Sequence, residues 1–110
     1  MLKRDAHFSK AFQQPDYREI AERALLSAEI LVPSWLPDGR RRGNEWVALN
    51  PTRADRRLGS FSINLRTGRW ADFAIGDSGG DLISLRAYLD GSTQRQAALA
   101  LLQELGGSVR

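Results

Sequence analysis

The chain has 110 residues, 42% of them hydrophobic and 26% charged, which suits one small globular domain rather than a disordered tail. It has no cysteine, which excludes disulfides and thiolate-bound metals. The N-terminal segment lacks the apolar stretch of a secretory signal, and no run approaches the roughly 20 apolar residues of a membrane span. We therefore expect a cytoplasmic protein that forms one domain over residues 1–110 and has no membrane partner.

Residues 15–31 carry the first helical pattern. Apolar side chains recur there at spacings of three and four, with charged residues between them, which predicts an amphipathic helix. Pro33 and Pro37 follow, and Asp38-Gly39 comes directly after them. These residues predict that the chain leaves the helix through a short apolar loop around Trp35.

The middle third of the chain is rich in arginine. Between Gly39 and Trp70 there are eight arginines and only two acidic residues: the arginines are Arg40, Arg41, Arg42, Arg53, Arg56, Arg57, Arg66 and Arg69. Guanidinium groups fork onto phosphate oxygens and stack on bases. The aromatic residues Trp46, Phe61 and Trp70 interleave with these arginines, and Phe73 follows. This mixture predicts a surface for single-stranded nucleic acid, with a solvated charged face and a core role for the rings as the alternatives.

Three segments are rich in aromatic or β-branched residues or alternate between apolar and polar side chains, which predicts β-strands. They are residues 45–49, 60–65 and 69–74. Thr67-Gly68 is suited to a tight turn between the last two. We therefore expect a small antiparallel sheet of three to four strands over residues 45–74.

Two further helices are predicted after the sheet. Asp81 is placed as the N-cap of a helix over residues 81–90, which Gly91 ends. Thr93 and Gln96 form the pattern of a capping box for a last helix over residues 93–105. The predicted fold is α+β, with one helix before the sheet and two after it.

No catalytic constellation is apparent in the sequence. His7 is the only histidine and has no nucleophile pattern near it, and a phosphate-binding loop is absent. Asp77 and Asp81 form the acidic pair of the glycine-rich loop, and a turn role and a helix-cap role account for them. Nucleotidyl transfer needs clustered carboxylates that hold divalent metal, so we do not expect an enzyme.

A series of short motifs runs through residues 43–89 in a fixed order. They are Gly43-Asn-Glu-Trp-Val47, Asn50-Pro51, Asp55, Ser60-Phe61, Trp70, Phe73, Gly76 and Gly80-Asp81-Leu-Ile83. This order resembles the N-terminal zinc-binding domain of DnaG-type bacterial and phage DNA primases. That family reads roughly as Cys-Pro-x-His, an Asp, Pro-Ser-Phe, a strand, Cys-Phe-x-Cys-Gly, and Gly-Asp before a helix. The resemblance implies a zinc-ribbon-like sheet.

The four zinc-ligand positions of that family are changed in this chain. The resemblance places Asn50 and Arg53 at the first ligand pair and Asp72 and Ile75 at the closing pair. A structural zinc needs four nitrogen or thiolate ligands in a tetrahedron, and these residues do not supply them. We therefore predict a degenerate site without metal, and no other cofactor.

The resemblance implies a non-catalytic accessory module of a DNA primase that contacts single-stranded template, with DNA favoured over RNA, during replication of a phage, plasmid or other mobile element. The residues predicted to contact phosphate are Arg40, Arg41, Arg42, Arg53, Arg56, Arg57, Arg66 and Arg69, with Trp46 or Trp70 predicted to stack on bases. Arg53 is expected on an exposed edge. The alternative is a docking module for a primase or helicase, formed by the Leu-rich last helix and the Trp35 loop.

Overall fold

The computed structural model describes residues 15–53 and 60–106. In these ranges the elements are α1 (Tyr17–Leu26), α2 (Ala28–Trp35), β1 (Arg40–Arg42), β2 (Glu45–Ala48), β3 (Phe61–Asn64), β4 (Trp70–Asp72), β5 (Asp77–Gly79), α3 (Leu82–Asp90) and α4 (Gln94–Glu104). The strands form one antiparallel sheet in the order β1-β2-β3-β4-β5. The predicted α+β class is confirmed.

The sheet is larger than the three to four strands expected, because a short strand is added at each edge. β1 pairs with β2, and β5 pairs with β4. Neither edge strand alternates between apolar and polar residues, and the Asp and Gly of β5 are depleted in strands generally. Backbone pairing with the neighbouring strand gives them their conformation. Side-chain periodicity does not reveal such pairing.

The predicted first helix is interrupted at Ser27, which lies between α1 and α2 with φ −110° and ψ 18°. The chain then stays helical through Pro33 to Trp35, so the predicted apolar loop around Trp35 is wrong. Proline removes one N–H donor, but its fixed φ is compatible with a helix. Packing of the apolar side of α2 against the core, through Leu31 and Val32, accounts for the helix continuing.

Both C-terminal helices begin at the predicted caps. The Asp81 carboxylate accepts the backbone N–H of Ser84 at 2.9 Å at the start of α3. The Thr93 hydroxyl accepts the N–H of Gln96 at 3.0 Å, and the Gln96 side chain accepts the N–H of Thr93 at 2.9 Å. Gly91 ends α3 in the left-handed conformation at φ 65°.

In residues 15–53 and 60–106 no helix has the length and apolar character needed to cross a lipid bilayer.

The four helices share one hydrophobic core with one face of the sheet, which we call the inner face. Phe61 and Ile63 of β3 and Trp70 of β4 are buried on this face. The buried helical residues that meet them in the core are Ile20, Ala24, Ala28, Leu31, Val32, Leu82, Ile83, Leu85, Ala97, Ala98 and Leu101. On the opposite face Ser62, Asn64 and Ala71 are partly exposed, whereas Val47 is buried.

Candidate nucleic-acid interface

The face of the sheet opposite to the helices, which we call the outer face, carries the candidate interface. Directly paired residues of an antiparallel sheet lie on the same face. Ser62 pairs with Ala71, and Ala71 pairs with Ser78, so small side chains from β3, β4 and β5 share the outer face. Glu45 pairs with Asn64 on this face. The outer face therefore combines small and polar side chains.

A shallow groove with a volume of about 390 Å³ runs over the outer face. The small side chains of Ser62, Ala71 and Ser78 line it, and so do Arg69 and Phe73, which lie directly before and after β4. The ring of Phe73 is 75% exposed. An exposed ring and a guanidinium that line one groove supply a stacking surface and a phosphate contact for a single strand.

The three arginines of β1 divide between the two faces. Arg40 pairs with Val47 and Arg42 pairs with Glu45, which places both arginines on the outer face. Arg41 lies on the other face, where its Nη1 is 3.3 Å from Glu29 Oε1 and its Nε donates to a backbone carbonyl. Arg40 and Arg42 are therefore suited to contact a ligand on the outer face, whereas Arg41 links the sheet edge to α2.

The two tryptophans predicted to stack on bases both belong to the inner face. Trp70 is only 5% exposed, and its Nε1 donates to Ser84 Oγ at 2.9 Å. Trp46 pairs with Ile63 and donates from Nε1 to the Leu36 carbonyl at 2.9 Å. With 5% of its surface exposed, Trp70 is poorly suited to stack on bases, and Trp46 lies on the inner face, so we assign base stacking to neither tryptophan.

Three of the four positions that the resemblance aligns with zinc ligands meet at one end of the sheet. Asn50 Nδ2 and Arg53 Nε each donate to Asp72 Oδ2 at 2.8 Å. Asp72 is fully buried, and the side chain of Arg53 is 19% exposed. Ile75 lies in the turn that follows Asp72, and its backbone N–H donates to the Asp72 carbonyl at 3.2 Å. We call the three hydrogen-bonded residues the Asn50–Arg53–Asp72 cluster.

Tyr88 extends this cluster to α3. Its hydroxyl accepts from Asn50 Nδ2 at 2.8 Å and donates to Asp77 Oδ2 at 2.9 Å. Asn50 Oδ1 accepts from both the backbone N–H and the hydroxyl of Thr52. Both the amide nitrogen and the amide oxygen of the buried Asn50 side chain therefore have hydrogen-bond partners. These bonds hold the turn after β2 against β4 and α3.

The cluster does not fit a zinc ion. A guanidinium occupies the position of one ligand, and Asp72 alone brings a negative charge into the cluster. Zinc binds four nitrogen, sulfur or carboxylate donors, and a fixed cation at one ligand position opposes a second positive charge. Within residues 15–53 and 60–106 no group of three or more His, Cys, Asp or Glu side chains is placed to hold a metal ion.

Arg53 also differs from its predicted exposed position. Its ion pair with Asp72 turns the guanidinium inward, so we assign it to the cluster and remove it from the residues proposed to contact phosphate. Arg66 and Arg69 are exposed at the turn between β3 and β4, as a phosphate contact requires. Arg56 and Arg57 lie outside the described residues.

Comparison with known proteins does not assign the chain to a family. No protein-family model matches the chain, and no curated protein is significantly similar to it. The resemblance to primase zinc-binding domains thus rests on the motif order alone. The outer face and the cluster supply the physical arguments for function.

The cluster lowers the pKa of Asp72 below its usual value of 3.8. Burial alone would raise the pKa, because removal from water disfavours the charged carboxylate. Hydrogen bonds from Asn50, the Ala74 N–H and Arg53, together with the Arg53 charge, outweigh burial. The folded state therefore binds a proton at Asp72 less readily than the unfolded chain, whose aspartates titrate near pH 4.

This pKa difference predicts a pH-dependent contribution of Asp72 to stability. The contribution is complete above about pH 5 and is lost as the pH falls through 4 toward the lowered pKa of the folded state. We expect the difference in unfolding free energy between the unmodified protein and Asp72→Asn to be constant from about pH 7 to 5 and to shrink below about pH 4. Urea unfolding across this range measures it. A difference that stays constant down to about pH 3 would contradict the prediction.

Phe73 and Glu45 lie on the outer face, but the sequence does not identify either of them as a site residue. In the sequence, Phe73 is an aromatic residue beyond the arginine-rich segment, and Glu45 is one of the two acidic residues within that segment. Alternation along β4 groups Phe73 with Arg69 and separates both from Trp70, so the signal for Phe73 was present. The missing information was which of the two faces the helices cover.

Proposed function

We propose that this chain is a non-catalytic module that binds single-stranded nucleic acid, DNA in preference to RNA, on the outer face of its sheet. The observation that carries the proposal is that the exposed Phe73 ring and Arg69 line the same groove, together with small side chains. Arg40 and Arg42 add positive charge on the same face. The order of primase-like motifs supports a place in replication of a phage, plasmid or mobile element, next to a primase.

The charge and shape of the outer face suit a flexible single strand. Arginines attract the phosphate backbone, and an exposed aromatic ring holds a base by stacking, without reading sequence. Small residues such as Ser62 and Ala71 leave room for a planar base to approach the sheet. In duplex DNA the bases are already stacked on one another, so the contribution of Phe73 favours single strands.

The alternative, docking to a primase or helicase, relies on apolar surface around the last helix and Trp35. Leu101 of α4 is fully buried in the core. The Arg86 guanidinium lies 5.3 Å from the centre of the Trp35 ring, and Trp35 Nε1 donates to Glu104 at 3.0 Å. Leu101 and Trp35 are engaged within the chain, whereas Leu99 of α4 is 43% exposed. The engagement of Leu101 and Trp35 favours nucleic-acid binding over docking.

Fluorescence anisotropy of labelled single-stranded oligonucleotides tests the proposal. We expect affinity that falls steeply with salt and survives treatment with a chelator. Arg69→Glu should weaken binding and reduce the slope of log affinity against log salt by about one. Phe73→Ala should weaken binding by about 1–3 kcal/mol and leave that slope unchanged, because stacking releases no counterions.

Arg18→Glu is the matched control for charge. Arg18 lies on α1, its side chain is 89% exposed, and it pairs only loosely with Glu22 at 3.7 Å. The substitution changes net charge as much as Arg69→Glu does, but on the helical side. Equal effects of the two substitutions would refute the assignment to the outer face, and absence of binding at low salt would refute the proposed function.

A further inference from the structure

Glu45 is an acidic residue on the face to which we assign phosphate-binding arginines. It pairs with Arg42 on β1 and with Asn64 on β3, and it lines the groove. A carboxylate at this position repels a phosphate group. A strand bound in the groove therefore avoids placing a phosphate against Glu45 and presents a different group to it.

The carboxylate of Glu45 is held in one orientation. Ser62 Oγ donates to Oε1 at 2.5 Å, and Asn64 Nδ2 donates to Oε2 at 2.9 Å. The Asn64 amide is itself oriented, because its Oδ1 accepts the N–H groups of Arg66 and Thr67 at 2.8 and 3.0 Å. An ionised carboxylate has about four acceptor sites, so each oxygen keeps capacity for a further donor.

The surrounding charges indicate how a strand would lie. Arg40 and Arg42 on β1 lie on one side of Glu45 on the outer face, and Arg69, directly before β4, lies on the other. A strand whose phosphates contact arginines on both sides crosses the row that contains Glu45, with a base rather than a phosphate turned toward the carboxylate. The edge of a base then meets the oriented acceptors of Glu45.

We propose that Glu45 selects bases that carry an exocyclic amino group, namely cytosine, adenine or guanine, over thymine and uracil. The amino group of cytosine is a donor that a carboxylate accepts, whereas the one donor of thymine, N3–H, lies between two carbonyl oxygens that a carboxylate repels. Two acceptors that face each other repel. Single strands expose these base edges, which pairing occupies in a duplex. This inference rests on the proposed function and adds a base preference to it.

The test compares two labelled oligonucleotides of about 12 nucleotides, one all thymidine and one with central deoxycytidines. We expect the unmodified protein to bind the deoxycytidine oligonucleotide about five-fold more tightly, by fluorescence anisotropy. In Glu45→Gln the amide donates to thymine as well as accepting from cytosine, so the ratio should fall within about two-fold. Glu22→Gln on α1 removes the same charge from the helical side and should leave the five-fold ratio unchanged.

The outcomes separate the base preference from the proposed function. Equal affinity of the unmodified protein for the two oligonucleotides, or a preference that persists in Glu45→Gln, overturns the inference and leaves nucleic-acid binding intact. Failure to bind either oligonucleotide at low salt overturns both. A circular dichroism melt of Glu45→Gln that matches the unmodified protein shows that a lost preference is not a loss of folding.

Discussion

Replacing Phe61 by alanine should lower the free energy of unfolding by about 3–5 kcal/mol. Phe61 is fully buried, and its ring lies 6.2 Å from the ring of Trp70 in an edge-to-face arrangement and 6.2 Å from that of Tyr88. Truncation removes its buried apolar surface, leaves a cavity between the sheet and α3, and removes aromatic contacts worth about 0.5–1.5 kcal/mol each. Domains of this size are stable by about 5–15 kcal/mol, so the loss is a large fraction of the total.

Phe73→Ala is the matched control, because it removes the same side chain from the outer face. Phe73 is 75% exposed, and substitution of an exposed residue changes stability by about 0.5 kcal/mol or less. Urea denaturation of both variants measures the contrast, and anisotropy on the same samples should show the reverse order for binding. Similar stability losses in the two variants would contradict the assignment of Phe61 to the core and Phe73 to the interface.

The features that could be predicted from the sequence are those governed by local rules. Asp81 and Thr93 cap their helices because hydroxyl and carboxylate oxygens accept the N–H groups at a helix start. Alternation along β3 places Phe61 and Ile63 together in the core. The motif order also grouped Asn50, Arg53 and Asp72 as positions that meet in space, although the resemblance alone said nothing of the hydrogen bonds between them.

The remaining features depend on partners that lie far apart in the sequence. β1 and β5 form through backbone pairing with neighbouring strands, so their side chains carry no signal of it. Trp70 is buried because it lies on the inner face, which the helices cover. Gly79 of β5 illustrates this: a Cβ there would overlap Trp70 Nε1 and Ser84 Oγ, so the glycine is required by contacts that only the folded chain brings together.

Asp72→Ala should destabilise the fold by about 2–4 kcal/mol, close to the cost of removing one partner of a buried ion pair. The substitution leaves the Arg53 guanidinium and the buried Asn50 amide without the carboxylate oxygen that both use at 2.8 Å. The cost stays below that of a fully buried pair because Arg53 keeps some access to water, with 19% of its side chain exposed. Thermal unfolding followed by circular dichroism measures the change.

Asp90→Ala is the control, because Asp90 Oδ2 also accepts an arginine Nε, that of Arg86, at 2.8 Å. Asp90 is 44% exposed, and Arg86 keeps Glu104 as a partner, so the expected loss is below about 1 kcal/mol. Arg53→Ala combined with Asp72→Ala should give less than the sum of the single effects, with an interaction energy of about 0.5–3 kcal/mol. Additive effects would mean that the two side chains stabilise the fold independently. Coupling would mean that a buried charge and its hydrogen bonds join two turns of this chain. These are the turns that the resemblance aligns with the zinc ligands of the primase domains.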